Sequence, residues 1–354
     1  MLSLLINYTI TRTHLLIDGS VNSCRLINAD LCRIMLSITT IIFLIIFVLL
    51  IVFKIYMKVT TGWCRSHTCL VGKTAIVTGA NTGIGYDTAL DFAKRGARVI
   101  LACRDEGRAE EARVRIVKET GNNNIVVQLI NMNSFESVRE FAKKINETEE
   151  RLDILVNNAG AGGIGNRRSK DGHVLLMQIN YFSAFLLTNL LIGLLKKTKG
   201  SRVVNVSSIL AKYARNFKVA NVDQFPGVYY VYNYSKLCNI LFTIELAKRL
   251  DGTETTTYSL HPGAVKTEIF RRTKGTSKFI ANFLKNLFFK TSEEGAQTTI
   301  YCSVAKDIER CNGAHFEDCQ EVPPYITTRV PGLSKKLWDL TKDIVGLKPE
   351  EMLI

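Results

Sequence analysis

The stretch Thr78-Gly-Ala-Asn-Thr-Gly-Ile-Gly85 narrows what this chain can fold into more than any other. Before it comes Thr74–Val77, a short run that reads as a strand, and after it a helical pattern through Ala89–Arg95. A strand that turns through glycines straight into a helix is where a parallel sheet offers backbone N–H groups to a phosphate. Gly79, Gly83 and Gly85 allow the tight turn and the close approach, and Asn81, Thr82 and Ile84 ride on the same turn. Three glycines alone also serve ordinary turns. Their position between strand and helix, near the start of a domain, is what points to a nucleotide pyrophosphate.

The texture beyond Lys73 supplies the rest of a sheet. Apolar runs at 74–77, 98–102, 125–130, 154–156, 203–206 and 256–260 read as strands, and periodic segments at 89–95, 106–119, 135–145 and 175–195 as helices. Strands separated by helices need crossover connections. The spacing therefore predicts the α/β class, with a single Rossmann-type doubly wound parallel sheet and helices on both faces. The sequence has no internal repeat, no low-complexity stretch and no obvious second domain. Its second strand ends in Ala102-Cys-Arg-Asp105. An acidic residue there accepts from a ribose 2′-OH, whereas an arginine suits a 2′-phosphate, so Arg104 points to NADP(H). With Asp105 beside it, Arg104 also reads as an ordinary solvated cation.

The segment Val231-Tyr-Asn-Tyr-Ser-Lys236 carries the chemistry. On a helix Tyr232 and Lys236 are i,i+4 neighbours, while Tyr234 points elsewhere. A cation one turn from a phenol favours the phenolate and lowers its pKa toward neutrality, as a proton donor working near pH 7 requires. Such pairs also occur on helices without function, so support has to come from the rest of the chain. The 46 Lys and Arg against 32 Asp and Glu give a net charge of +14, suited to phosphate, nucleic acid or a membrane surface. Neither zinc-finger spacing nor an RNA-binding aromatic signature is present, which makes nucleic acid the weakest of the three; no metal site is expected. Nine cysteines, odd in number and without framework spacing, argue for reduced thiols in a cytosolic setting.

Leu36–Phe53 carries no charge and spans about 27 Å as a helix, nearly the width of a bilayer core. The run is apolar all round and precedes the globular pattern, so 35–54 reads as a transmembrane signal anchor rather than a core helix or a cleaved signal peptide. Lys54, Lys58, Arg65 and Lys73 follow it, whereas Arg25 and Arg33 precede it together with Asp18 and Asp30. The positive-inside rule then places the C-terminal bulk in the cytosol. Residues 1–34 are an unpatterned extension of unknown structure. Met35-Leu-Ser repeats Met1-Leu-Ser, which raises Met35 as a translation start; an intact Met1 peptide from the natural source would exclude this.

Thr78–Gly85, Asn157-Asn-Ala-Gly160 after the fourth strand and Tyr232-x-x-x-Lys236 together resemble the short-chain dehydrogenase/reductase family, over roughly 72–316. The preceding anchor, Val204-Asn-Val-Ser-Ser208, Lys236–Leu250, His261-Pro-Gly263 and Gly313–Cys319 look like that family's membrane-anchored retinol dehydrogenase group. The resemblance implies a catalytic tetrad of Asn180, Ser208, Tyr232 and Lys236. In it Tyr232 is general acid in reduction and base in oxidation, and Ser208 holds the substrate oxygen. Lys236 lowers the tyrosine pKa and grips the nicotinamide ribose, and Asn180 positions a proton-relaying water. Alternation along the fifth strand sends Ser207 and Ser208 to opposite faces, and the family uses the second. Also implied are Asn157, Ala159 and Gly160 along the cofactor, and Pro262, Gly263, Val265 and Thr267 in a loop on its nicotinamide and phosphate side. One departure is Asn131-Met132, where many relatives have Asp-Leu; Asn131 keeps a carbonyl oxygen for the adenine amino group but loses the charge.

Beyond Thr267, the segment Phe279–Phe289 is apolar at 279, 280, 283, 284, 287 and 288, with Arg271, Arg272, Lys274, Lys278, Lys285 and Lys290 around it. Such a basic amphipathic helix either packs on the core or forms a lid that touches a bilayer and admits a lipophilic substrate. The expected organisation is the extension at 1–34, the anchor at 35–54, a dinucleotide-binding catalytic domain at 70–320 and a C-terminal helical tail at 321–354. By resemblance, the chain is an NADP-dependent oxidoreductase interconverting a lipophilic, retinol-like alcohol and its aldehyde or ketone. The resemblance also implies a single-pass membrane protein, expected in the endoplasmic reticulum, with the catalytic domain facing the cytosol. Competing readings are a steroid or other lipid carbonyl reductase, a membrane-tethered nucleotide-binding scaffold without turnover, and a sugar-nucleotide epimerase or dehydratase. The short chain after His261 disfavours the last. A homo-oligomer is left open.

Overall fold

The computed structural model describes residues 21–265 and 289–354. By its contacts the chain divides into two units, Met1–Thr60 and Thr61–Ile354. The first, where described, is the helix α1 (Val21–Thr60). Its stretch Arg33–Thr60 is long and apolar enough to cross a membrane and is not buried, which makes it a candidate transmembrane span. The helix extends past the expected 35–54 at both ends.

In the second unit the six expected strands are present as β1 (Thr74–Thr78), β2 (Arg98–Cys103), β3 (Ile125–Leu129), β4 (Ile154–Asn157), β5 (Arg202–Val206) and β6 (Thr256–His261). Between them run α2 (Gly83–Lys94), α3 (Glu106–Thr120), α4 (Phe135–Thr148), α5 (Leu175–Lys197) and α6 (Val228–Arg249). After β6 come α7 (Ser292–Val304), β7 (His315–Glu317), β8 (Gln320–Val322) and α8 (Leu333–Ile344). The sheet order is β3-β2-β1-β4-β5-β6-β7-β8, parallel throughout except for the last pair. That antiparallel edge is added to the parallel sheet the sequence predicts. Asp318 and Cys319 both take positive φ (48° and 60°), and such a two-residue turn returns the chain directly beside β7.

The pleat builds two cores at once. Ile76 of β1 faces a cluster with Leu155, Val203, Phe185 and Leu241, while Ala75 and Val77 face another with Val99, Leu101, Val156 and Phe92. With both faces covered, the strands read as continuous apolar runs. Helix α5 is also long and apolar enough to cross a membrane, yet 89% of its apolar stretch is buried, so it is a core helix. The last residues do not stand apart as a tail. Trp338 of α8 lies 4.8 Å from the Phe185 ring and 5.7 Å from Phe242, with the Arg249 guanidinium 4.4 Å over its face. The apolar stripe of α8 has nowhere drier to go than this core.

Between β1 and β4 the strand order reverses direction, and such a switch point opens a crevice at the C-terminal edge of a parallel sheet. Thr78–Gly85 and Asn157–Gly160 both leave their strands at that edge.

Candidate active site

Thr78 ends β1 and ties two loops together. Its Oγ1 accepts from the Asn158 and Ala159 amides, both at 2.9 Å, and donates to the Val156 carbonyl at 3.2 Å. Asn158 reaches back, its Nδ2 donating to the Thr78 carbonyl at 2.8 Å. Gly79 and Gly83 occupy the left-handed region (φ 68° and 59°). A Cβ on Gly85 would lie 2.4 Å from the Gly79 carbonyl oxygen and 2.5 Å from Asn158 Nδ2, so no larger residue fits. Thr82 precedes α2 in extended backbone without capping it, so no Thr82 side chain competes for the first-turn amides. Ile84 is buried in the second core. Asn81 and Thr82 border an open groove of about 760 Å³, lined across from them by Arg108 and Arg115 of α3.

Arg104 is exposed just past the end of β2 on the same edge. At the end of β3, Asn131 Oδ1 accepts from the Asn133 amide at 3.1 Å. The oxygen assigned to a ligand thus already closes a local turn, with one lone pair remaining. Asn157 turns inward instead of toward the crevice. Its Nδ2 donates to Thr188 Oγ1 (2.9 Å) and Asn205 Oδ1 (2.8 Å), and Asn205 donates to Thr243 Oγ1 (2.9 Å), a buried ladder joining the sheet to α5 and α6. The loop surface is left to Asn158, Ala159 and Gly160. Sequence reasoning passed over Asn158 and the Thr78 hydroxyl; the doubled Asn157-Asn158 was the available signal.

Helix α6 carries Tyr232 and Lys236. Lys236 Nζ donates to the Val206 carbonyl at 3.0 Å and lies 6.0 Å from the centre of the Tyr232 ring. A Cβ on Gly160 would lie 3.5 Å from Lys236 Nζ and 3.6 Å from Asn180 Oδ1, so these three groups converge. Asn180 sits on a π-helical stretch of α5, Gln178–Phe182, a widening common at functional sites. Its Oδ1 accepts from the Ala161 amide (2.8 Å), and its Nδ2 donates to the Ala161 carbonyl (3.1 Å) and to Ser235 Oγ (3.0 Å). Ser235 Oγ donates in turn to the Tyr232 carbonyl at 2.8 Å. The two serines after β5 part as alternation requires. Ser207 Oγ donates to the Lys236 carbonyl at 2.6 Å, whereas Ser208 opens the 3-10 turn Ile209–Tyr213, accepts from the Leu210 amide at 3.2 Å and meets the Tyr232 hydroxyl.

Burial raises the Tyr232 pKa, and the hydrogen bond from Ser208 only partly opposes it. Burial also lowers Lys236 to about 8, which keeps the amine mostly protonated at pH 7. The expectation that Lys236 brings the phenol toward neutrality is therefore not met by the chain alone. Removal from water penalises the phenolate, and the ammonium is turned to the Val206 carbonyl.

At the end of β6, burial lowers His261 to about 4. Gly263 has φ 88°, and a Cβ there would lie 2.7 Å from the Lys290 chain. Pro262 stands between these two, and Val265 pairs with Lys290 as a single parallel bridge and packs over Gly295 beside Ile84. The Lys290 ammonium is buried in an ion pair with Asp318. Thr267 and the expected amphipathic segment, through residue 288, lie outside the described residues.

A family model described as short chain dehydrogenase matches residues 73–278. The chain belongs to the short-chain dehydrogenase family. Mouse retinol dehydrogenase 11 is 42% identical over 298 residues, covering 83% of this chain and 93% of that protein. Human retinol dehydrogenase 14 is 40% identical over 292 residues, covering 78% and 87%. Among solved structures, an uncharacterized protein of Mycobacterium paratuberculosis superposes with a TM-score of 0.64 at 26% identity, covering 81% of this chain and 98% of its own. An Escherichia coli CFT073 protein complexed with NADPH shares the fold, with a TM-score of 0.58 at 23% identity over 72% of this chain and 99% of its own.

This short-chain dehydrogenase is an oxidoreductase homologous to retinol dehydrogenases. Its edge residues fit a dinucleotide: left-handed glycines beside the start of a helix, an open groove toward α3 and an exposed arginine after β2. Among the described residues, no group of His, Cys, Asp and Glu could hold a metal ion.

Proposed function

We propose that the protein interconverts a lipophilic, retinol-like alcohol and its aldehyde or ketone with NADP(H). The observation that carries this reading is the convergence of Lys236, Asn180 and the Tyr232–Ser208 pair on one edge of the sheet, beside the glycine turn. Gly79, Gly83, Gly85 and the start of α2 would hold the pyrophosphate, Arg104 the 2′-phosphate and Lys236 the nicotinamide ribose. Asn131 would face the adenine, and Ala159, Gly160, Pro262, Gly263 and Val265 would line the remainder. The bound nicotinamide supplies or accepts the hydride.

The residues of the chain manage the proton. Tyr232 Oη gives it to the carbonyl oxygen in reduction and takes it back in oxidation. Ser208 Oγ hydrogen-bonds that same oxygen as charge develops on it. The Lys236 ammonium balances the phenolate that Tyr232 leaves behind. Asn180 positions Tyr232, because it grips the Ala161 backbone and, through Ser235, the backbone of Tyr232. The candidate span Arg33–Thr60 supports a membrane-held enzyme, which we place in the endoplasmic reticulum with the catalytic unit in the cytosol.

Membranes from expressing cells, assayed with retinal, medium-chain aldehydes and steroids, test the proposal. Turnover of retinal with NADPH well above NADH is the expected result. A clear preference for NADH would refute the role of Arg104, and the absence of turnover across the panel would refute the activity.

A further inference from the structure

The exposed aromatic residues of the catalytic unit are unevenly distributed. Among the described residues, those exposed are Trp63, Tyr213, Tyr229, Tyr230 and Phe289. All five lie on segments at the C-terminal edge of the sheet. Tyr213 ends the 3-10 turn that Ser208 opens, and Tyr229 and Tyr230 occupy the first turn of α6, just ahead of Tyr232. Phe289 precedes Lys290, which pairs with Asp318 in the turn after β7. Trp63 follows Gly62, whose amide donates to Asp318 Oδ1 at 3.2 Å. Exposed Ile326 joins them: it follows Tyr325, whose ring lies 4.9 Å from Lys212 Nζ on the Ser208 turn.

Between Ser208 and Tyr232 the sequence carries Lys212, Arg215 and Lys218 against the single acid Asp223, which bonds to His173. Of the basic residues on the segment that joins Ser208 to Tyr232, Lys212 pairs with Glu317 at 3.5 Å, while Arg215 and Lys218 are exposed. Tryptophan and tyrosine favour the headgroup level of a bilayer, and exposed lysine and arginine favour anionic lipid. The catalytic unit also begins at this edge, since Gly62 is bound there, and the residues before it belong to the candidate membrane helix.

We infer that this aromatic rim rests on the bilayer surface around the mouth of the active site, so that substrate enters from the lipid rather than through water. The inference rests on the lipophilic-substrate reading above. It adds a second membrane contact, separate from the helix.

The full-length protein, reconstituted in phosphatidylcholine–phosphatidylserine vesicles containing a diazirine-bearing phosphatidylcholine, provides a test independent of activity. After irradiation, lipid adducts are expected on the peptides holding Trp63, Tyr229–Tyr230 and Ile326, in addition to α1. Adducts confined to α1 would overturn the inference, as would a chemically cross-linked dimer in which a second copy covers these peptides. In the kinetic arm, the variant Tyr229→Ser, Tyr230→Ser, Ile326→Ser is compared with wild type. Its KM for vesicle-borne retinal is expected to rise about fivefold, with kcat/KM for a short water-soluble aldehyde within about twofold. An equal effect on both aldehydes, or on neither, counts against the rim. If wild type turns over neither aldehyde, the functional reading fails, while the lipid adducts still decide the surface.

Discussion

The nucleotide half of the catalytic unit, β1 to β4, and the substrate half, β5 to α8, share one sheet but are built differently. In the nucleotide half the critical loop is short and pinned by backbone geometry. Thr78 and Asn158 lock the glycine turn from both sides, and Gly85 leaves no room for a methyl group. The substrate half also relies on side-chain bonds between separate segments, but it draws them from the region after β6. His315 lies between Ser259 Oγ (2.9 Å) and the Tyr325 hydroxyl (3.2 Å), Lys290 pairs with Asp318, and Trp338 returns from the far C-terminus to fill the core. A site that grips one cofactor can be rigid. The side that meets a variable substrate is assembled from segments distant in sequence, where loop variation costs the sheet little.

The largest expected effect sharpens the contrast at the chemical step. Tyr232→Phe should lower turnover roughly a thousandfold while leaving NADPH binding, followed by fluorescence titration, nearly intact. Tyr234→Phe should stay within about twofold of wild type, since that ring packs 5.4 Å from Phe217, away from Lys236. Equal activity in Tyr232→Phe would favour a nucleotide-binding scaffold and break the mechanism.

Next in size is Gly85→Ala, which forces a methyl group against the Gly79 carbonyl. A loss of about 2–3 kcal/mol in urea unfolding is expected, together with weakened NADPH binding. An unchanged variant would show that the nucleotide half is less rigid than its contacts imply.

The last expected effect concerns acid. Burial lowers His261 to about 4 and His315 to about 3 from an ordinary value near 6.5. Both are neutral in the fold at pH 7. As pH falls below 6.5 the unfolded chain gains protons that the folded chain refuses, so stability should drop progressively from pH 6.5 toward 3 and stay flat above 6.5 with respect to these groups. Hydrogen exchange at pH 5, corrected for intrinsic rates, should show β6 and β7 losing protection before β1 and β2. Uniform loss across the sheet would erase this difference between the halves.

Much of the nucleotide half was legible in the sequence because its determinants are local. Glycine spacing and short apolar strand runs act within a few residues, as does the one-turn Tyr–Lys separation in the other half, and there chain geometry leaves few options. The sequence alone thus determined the strand order of appearance and the glycine turn, and its spacing favoured Tyr232 over Tyr234 as the tyrosine to test. Tertiary structure decided the rest. Asn157 belongs to a core ladder because Thr188 and Asn205 happen to lie within reach, and α8 is core because Phe185 and Phe242 leave a place for Trp338. The Tyr232 phenol is pushed upward rather than toward neutrality because burial, which no spacing rule encodes, outweighs its hydrogen bond with Ser208. Burial and long-range partners are properties of the packed whole, so they appear only once the chain has folded.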